Sequence, residues 1–462
     1  MSEVELPIVL DRNNASPLAA QVASQLRTAI LNGIVQPEHT LPATRRLAQE
    51  LGISRGVVVR AFEQLSGEGF LVSNGAGGTQ VAVRPDIKVL PPASKEPPRT
   101  PPQTDLVDLT PGRPSGAPFQ DRQWRAAWKS AVAGQGMVQL PPALGTPELR
   151  DAVADHLALS RGLAVEADDV IITGGTSDAL QLVVAMLRRQ TAQPHILVED
   201  PGYPTARRVM TAAGARITTV PVEEDGLNAA QLERLEEIPD AVLVTPSHQY
   251  PLGGRMTVQE RLGLLTWAEQ HGVLVLEDDY DSEFRHSRMP LPAVSSLPST
   301  ADVVLLGTFS KNLSPWLRCG YLVVRGDSGH QLKATREALD TPVAGVLQSA
   351  LAGYIQGGGL SRHITRARRE YAHRRSLLID RLGSRSNIEL SALDGGLHAV
   401  VRFNYPEAGH LAAKALELGV LVVPLAGYYA DRPPENGLVL GYGAVTDLQL
   451  AKALAILSDL IC

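Results

Sequence analysis

Lysine is the scarce charge in this chain. Of 43 basic residues in 462, only seven are lysine, at positions 88, 95, 129, 311, 333, 414 and 452. None follows a glycine, so there is no phosphate-loop Gly-Lys pair and nucleoside-triphosphate chemistry is disfavoured. Cysteine is rarer still: Cys319 and Cys462 cannot build a disulfide framework, and their number fits a reducing compartment. No apolar run approaches the roughly 18 residues of a membrane span, and Met1-Ser2-Glu3-Val4-Glu5 has neither a basic nor an apolar leader region. A cytoplasmic protein without a membrane partner is the expectation. Charge of one sign is also lacking. A net charge of −6 excludes a protein that is basic overall and leaves any nucleic-acid contact to a local patch.

What the chain does have is length and apolar content. At 462 residues and 44% hydrophobic it can build two to four domains or lobes, at about 100–200 residues each. The stretch that organises it is Gly307-Thr308-Phe309-Ser310-Lys311, with Arg318 following, set between the apolar runs 303–306 and 322–324. A lysine where two core strands surface is partly desolvated, so its amine is neutral often enough to attack an aldehyde. Thr308, Ser310 and Arg318 supply hydroxyls and a guanidinium for a phosphate. A surface lysine at a strand-loop junction is the competing reading. The stretch resembles the lysine motif of fold-type-I pyridoxal-phosphate (PLP) enzymes, the aminotransferases, in which a Ser/Thr three residues before the lysine and an Arg shortly after it bind the phosphate. The resemblance implies Lys311 as the Schiff-base lysine.

Upstream, apolar strands alternate with helical patterns from 170 to 276, which predicts an α/β fold with a mainly parallel sheet covered on both faces. Ligands collect at the carboxyl ends of such strands, and the polar motifs fall there. Gly174-Gly175-Thr176-Ser177 ends a strand and opens a helix, a cradle for a phosphate, although the same residues make ordinary turns. Glu199-Asp200-Pro201-Gly202-Tyr203-Pro204 offers Tyr203 as a stacking ring or a structural tyrosine. In Glu277-Asp278-Asp279-Tyr280-Asp281-Ser282-Glu283-Phe284, Asp278 and Tyr280 share a strand face. A carboxylate there can keep a pyridinium nitrogen protonated and a phenol can reach the ring hydroxyl, while a divalent-metal site of four carboxylates is the rival.

The first hundred residues follow another pattern. Ser16 is expected to cap a helix that starts at Pro17 and runs to Asn32-Gly33. Residues 44–51, the turn Gly52-Ile53-Ser54 and residues 55–65 then predict a helix-turn-helix, with Ser54 capping the second helix and Arg55 at its exposed start. Two short strands around 69–73 and 77–83 make a wing. The segment is neutral overall, yet Arg45, Arg46, Arg55 and Arg60 share two helices with one acid, Glu50, between them. A helical packing unit with solvated arginines is the plainer alternative. Leu41-Pro42-Ala43-Thr44-Arg45-Arg46-Leu47-Ala48, Ser54-Arg55-Gly56-Val57-Val58 and Ala61-Phe62-Glu63-Gln64-Leu65 resemble the winged helix-turn-helix of GntR-type bacterial regulators. That resemblance implies DNA contacts at Arg45, Ser54, Arg55 and Gly77, most of them to phosphates.

Residues 10–84 therefore read as a winged helix-turn-helix and 105–462 as an aminotransferase-like effector domain with a smaller α+β lobe at its end. Between them, 85–104 is proline-rich, seven of the eighteen residues from Pro85 to Pro102, and makes an extended spacer on the order of 55 Å long. The two motifs in this order resemble the MocR/GabR-type subgroup of GntR regulators. The resemblance implies PLP with Asp278 on the pyridine nitrogen, Tyr280 on the ring hydroxyl and Tyr203 stacking. Gly175, Thr176, Ser177, Thr308 and Arg318 would hold the phosphate, in a homodimer. The implied function is a PLP-dependent transcription regulator on double-stranded promoter DNA, its effector PLP itself or a small amino compound. A genuine aminotransferase with a vestigial head is the alternative. Two departures separate the chain from working aminotransferases. Leu140-Pro141-Pro142-Ala143-Leu144-Gly145 lacks their phosphate-contacting tyrosine, and Tyr250 replaces the asparagine before Pro251-Leu252-Gly253. The C-terminal strand carries no carboxylate-clamping arginine, Arg432 being nearest.

Overall fold

The computed structural model describes residues 6–12, 16–73, 78–82, 106–116, 121–134, 139–223, 225–286, 291–430 and 435–461. The spacer and Gly77 lie outside them, as does Arg432. The chain divides into two compact units, 1–101 and 102–462.

In the first unit, Leu18–Leu31 packs Val22, Leu26, Ala29 and Ile30 against Thr44–Glu50 and Arg55–Gly67. Leu47, Val58, Ala61, Phe62 and Leu65 complete a core onto which the antiparallel pair Leu71–Ser73 and Thr79–Val81 closes through Leu71 and Val81. Truncating a side chain such as Leu26 in so small a core costs about 2–5 kcal/mol. Two caps differ from expectation. Pro17, not Ser16, stands at the N-cap of the first helix, which has no side-chain cap. Gln21 takes over the entry, its Nε2 donating to the carbonyls of Asp11 at 2.9 Å and Ser16 at 2.8 Å. Ser54 does stand at the N-cap of Arg55–Gly67, but its hydroxyl caps no amide and remains exposed, beside the exposed Arg55.

The second unit is built on a seven-stranded sheet. Its order is Val170–Thr173, Gly320–Val323, Val303–Thr308, Leu274–Asp279, Ala241–Val244, His195–Asp200, Arg216–Pro221. All neighbours pair in parallel except Gly320–Val323, which runs against both of its partners. Val170–Thr173, Gly320–Val323 and Ala241–Val244 are buried on both faces, as their apolar runs require, whereas the edge strand Arg216–Pro221 is mostly half-buried. Helices Thr176–Leu187, Pro204–Ala212 and Val258–His271 supply crossovers. A four-stranded antiparallel sheet of Ile388–Ser391, His398–Phe403, Gly437–Gly441 and Val423–Pro424 forms the smaller lobe, with the 24-residue helix Gly359–Leu382 beside it. Val107–Asp108 pairs in parallel with Val420–Leu421. No helix among the described residues is long and apolar enough to cross a membrane.

Candidate functional site

The carboxyl ends of the parallel strands converge on a cavity of about 140 Å³. Register brings them together: Asp278 lies opposite Leu306 and Asp279 opposite Gly307, so the acidic run and the lysine run end side by side. Gly307 must be glycine, because any Cβ there would run into the ring of Tyr321 on the next strand. Thr308 ends its strand and turns the chain, its Oγ1 accepting from the Ser310 N–H at 3.1 Å to open the single helical turn Phe309–Asn312 that carries Lys311. Arg318 follows in the left-handed region, φ +46°.

Lys311, Thr308, Ser310 and Arg318 line the cavity with Thr176 and Ser177 at the start of their helix. Gly175, the N-cap of that helix, sits at φ +93° and ψ −179°, a conformation reserved for glycine. Tyr203, Asp278 and Tyr280 line the same space, as do Thr245, Tyr250 and Pro315. Of the residues expected to meet a cofactor, all but Gly175 are cavity-lining, and Gly175 adjoins them. Arg45, Ser54 and Arg55 belong to the first unit and are exposed there.

The electrostatics of the cavity are unbalanced. Asp278 is 5% exposed, and its Oδ1 has no hydrogen-bond partner. Burial first, and then the charge of Asp279, pushes its carboxyl up to about 7, against the pull of Lys311. Burial likewise lowers the Lys311 amine from its ordinary value, while Asp278 and Asp281 draw it back. Its Nζ donates to the carbonyl of Gly112 at 2.9 Å. The other acids of the run face elsewhere. Glu277 accepts the backbone amides of Val294 and Ser295, at 2.9 and 3.0 Å. Asp279 pairs with Arg161 at 3.0 Å, both nearly fully buried, and Glu283 pairs with His156. Asp281 meets His248 Nδ1 at 2.9 Å. The carboxylates thus diverge, which removes the basis for a four-carboxylate metal site and leaves Asp278 as the acid of the run that lines the cavity with Lys311.

Behind Tyr280 stands a cluster that sequence reasoning missed. The Tyr280 hydroxyl lies 3.0 Å from His248 Nδ1, and Tyr250 meets Tyr203, Tyr280, Tyr428 and His398 edge-on at ring distances of 5.2–6.0 Å. Burial, then the charge of Asp281, raises the Tyr280 phenol well above its ordinary value, so it stays a proton donor. Only the motif Ser247-His248-Gln249-Tyr250 hinted at this; nothing in the sequence signalled Gly112, which is remote from Lys311 along the chain.

Comparison with known proteins agrees with both units. The family described as Aminotransferase class I and II matches residues 104–456, and the one described as Bacterial regulatory proteins, gntR family, matches 18–81. The HTH-type pyridoxine biosynthesis transcriptional regulator PdxR of Corynebacterium glutamicum is 39% identical over 99% of both chains. The probable rhizopine catabolism regulatory protein MocR of Rhizobium meliloti is 32% identical over 95% of this chain and 92% of its own. Among solved structures, an archaeal alanine:glyoxylate aminotransferase superposes with a TM-score of 0.71 at 22% identity, covering 78% of this chain and 91% of that one, which speaks for the fold. The α-aminoadipate aminotransferase LysN of Thermus thermophilus, complexed with N-(5'-phosphopyridoxyl)-L-leucine, gives 0.68 at 26% identity, covering 78% and 92%. The chain therefore belongs to the MocR/GabR type of gntR-family transcriptional regulators, in which a winged helix-turn-helix precedes an aminotransferase class I and II fold.

Proposed function

We propose that the chain is a cytoplasmic, homodimeric transcription regulator that grips promoter DNA through residues 10–84 and responds to PLP in the cavity around Lys311. Residues 85–104 act as spacer and 105–462 as effector domain. The observation that carries the reading is the unpartnered, buried Oδ1 of Asp278 in the same cavity as a buried amine. That donor set fits PLP. When bound, the cofactor supplies an aldehyde and a ring whose protonated nitrogen draws electrons. Lys311 would take the aldehyde, Asp278 the ring nitrogen and Tyr280 the ring oxygen, with Tyr203 against the ring face. Gly175, Thr176, Ser177, Thr308 and Arg318 would hold the phosphate, in an arrangement of free amides, hydroxyls and one guanidinium.

The effector is PLP itself. Two observations support this over an amino compound. Besides Lys311, Arg318 is the single cation lining the cavity among the described residues, so a ligand carboxylate has no second guanidinium. The relative at 39% identity is named for pyridoxine biosynthesis. Regulation requires that PLP bind one arrangement of the heads better than another, by the coupling free energy. Arg45, Ser54, Arg55 and Gly77 hold DNA mainly through phosphates.

The test combines absorbance and DNA binding. Purified protein supplied with PLP should show a band near the visible edge that the Lys311→Ala variant lacks, and PLP should change the shift of a fragment upstream of its own gene. An unaltered shift whatever fills the cavity would refute the regulator. Conversion of the bound cofactor to its amine form by an amino acid, with no DNA shift, would establish the aminotransferase alternative.

A further inference from the structure

His248 has no part in the reading so far, although it stands behind the cavity wall. It is 4% exposed and stacks on Tyr280, ring centroids 6.2 Å apart at 27°. Gly396 fixes its seat, because any Cβ there would meet both the imidazole and Asp281. We infer that His248, oriented by Asp281, is a positioning residue that turns the hydroxyl hydrogen of Tyr280 into the cavity. The inference rests on the reading of that cavity as a PLP site.

His248 Nδ1 lies 2.9 Å from Asp281 Oδ2 and 3.0 Å from the Tyr280 oxygen. Asp281, as a carboxylate, can only accept, so Nδ1 carries the hydrogen and shares it between the two oxygens. Nε2 is buried without a hydrogen-bond partner, so nothing on that side selects the other tautomer. A Tyr280 oxygen that already accepts from Nδ1 cannot donate to it. Its own hydrogen then has two acceptors, the Asp281 carboxylate, which also bonds to the hydroxyl, and a ring oxygen in the cavity. With Nδ1–H already on Asp281 Oδ2, the ring oxygen competes for it. Tyr250, standing where aminotransferases keep an asparagine, has its hydroxyl on that of Tyr428 at 3.4 Å, so Tyr280 is the phenol free for this task.

The surroundings do not undo this assignment. His398 packs 5.1 Å from His248, but its Nε2 bonds to the Pro251 carbonyl at 3.0 Å, and burial pushes it down to about 4, so it stays neutral. Asp278, Lys311 and Tyr250 face Tyr280 from the cavity side. On the far side of His248 a small cavity is lined by Arg161, Arg255, Arg261, Arg285 and Asp394, and His286 stands nearby, held neutral by burial. His248, Asp281 and His398 also offer atoms within 4.8 Å of one another, a spacing open to a metal ion. Nδ1 of His248 is already shared by two oxygens, which favours the proton network.

The test follows the pH titration of the visible band in the PLP-loaded full chain. A hydrogen bond to the ring oxygen shifts the protonation of the neighbouring nitrogen, so Tyr280→Phe should move the apparent pKa by about one pH unit, tenfold in proton affinity. His248→Gln, whose amide nitrogen reaches the Nε2 position, should move it the same way by at least half as much. His248→Asn, whose amide nitrogen mimics Nδ1–H, should restore the wild-type value, a distinction that a merely structural role would not make. In the Tyr280→Phe background the His248→Gln change should have no further effect. Equal titrations for wild type, Asn and Gln would overturn the inference, as would effects that add in full or a stoichiometric metal ion lost on His248→Gln. Absence of the band in wild type itself would instead overturn the PLP reading beneath it.

Discussion

The guanidinium carbon of Arg318 lies 4.0 Å from where a Cβ on Gly175 would stand. One residue is a cation held in a left-handed turn; the other is a glycine in a conformation no side chain tolerates, at the start of a 12-residue helix. The same few cubic ångströms therefore combine a charge and an opened backbone. Gly175→Ala should cost about 1–3 kcal/mol of backbone strain and lower the melting temperature by several degrees. It should weaken PLP binding as well. Thermal melts with and without PLP decide it, and an unchanged melt would show that the turn at Gly175 carries no such strain.

Arg318→Gly should behave in the opposite sense for stability. It removes a non-glycine residue from φ +46°, so the protein without cofactor should melt no lower than wild type. PLP affinity should fall about 10- to 100-fold, the loss of charge-assisted hydrogen bonds worth about 1.5–3 kcal/mol. Titration by absorbance gives the affinity, and a full-strength complex would remove Arg318 from the phosphate site.

Asp278 predicts a dependence on pH with a definite sign. Its carboxyl is pushed up to about 7 in the folded protein, by burial above all, from an ordinary 3.8. Between those values the folded state holds a proton that the unfolded state has released, so stability is greatest in acid and falls as pH rises from about 4 to 7. Over three pH units that is at most about 4 kcal/mol. In Asp278→Asn the fall should shrink by that share, Glu199, raised to about 7 by burial, supplying much of the remainder. In wild type, PLP should suppress it, because a protonated ring nitrogen gives the carboxylate the cation it lacks. Denaturant melts at pH 5 and pH 7.5, with and without PLP, check the sign.

The head should bind DNA through salt-sensitive contacts. Arg45→Ala and Arg55→Ala should each weaken binding by similar factors on operator and unrelated DNA. Each should also reduce the slope of log affinity against log salt by about 1. Arg46 is tied to Glu50 at 2.9 Å, so Arg46→Ala should change the slope less.

Much of this was legible because the chemistry is local in sequence. Strand ends and turn residues fall next to one another in the Lys311 and Asp278 stretches, so period-two spacing sufficed to aim Asp278 and Tyr280 at one cavity. Contacts made over long chain distances were not legible. Gly112 reaches Lys311, and Gly396 seats His248, only once the sheet is assembled. The rival metal reading of the acidic run fails for the same reason. Five carboxyls stand in the seven residues 277–283, but the strand pleat and the following turn send four of them to Arg161, His156, His248 and backbone amides. Helix entry was misread at Ser16: the helix has no side-chain cap, and Gln21, one turn inside it, fastens the preceding segment through the Asp11 and Ser16 carbonyls.

Lys311 donates to the oxygen of Gly112, and that contact has a consequence for signalling. Were Lys311 to take the aldehyde, its nitrogen would turn toward the ring oxygen and give up this contact. Gly112 belongs to 106–116, the first described stretch after the spacer. That stretch is stitched to the smaller lobe by Val107 N–H on Gly419, Leu109 N–H on Leu421 and Gly441 N–H on Leu109. Filling the cavity would then unfasten one tie on the peptide that continues into the spacer. Deuterium uptake at residues 107–116 should rise with PLP in wild type and stand high from the outset in Lys311→Ala.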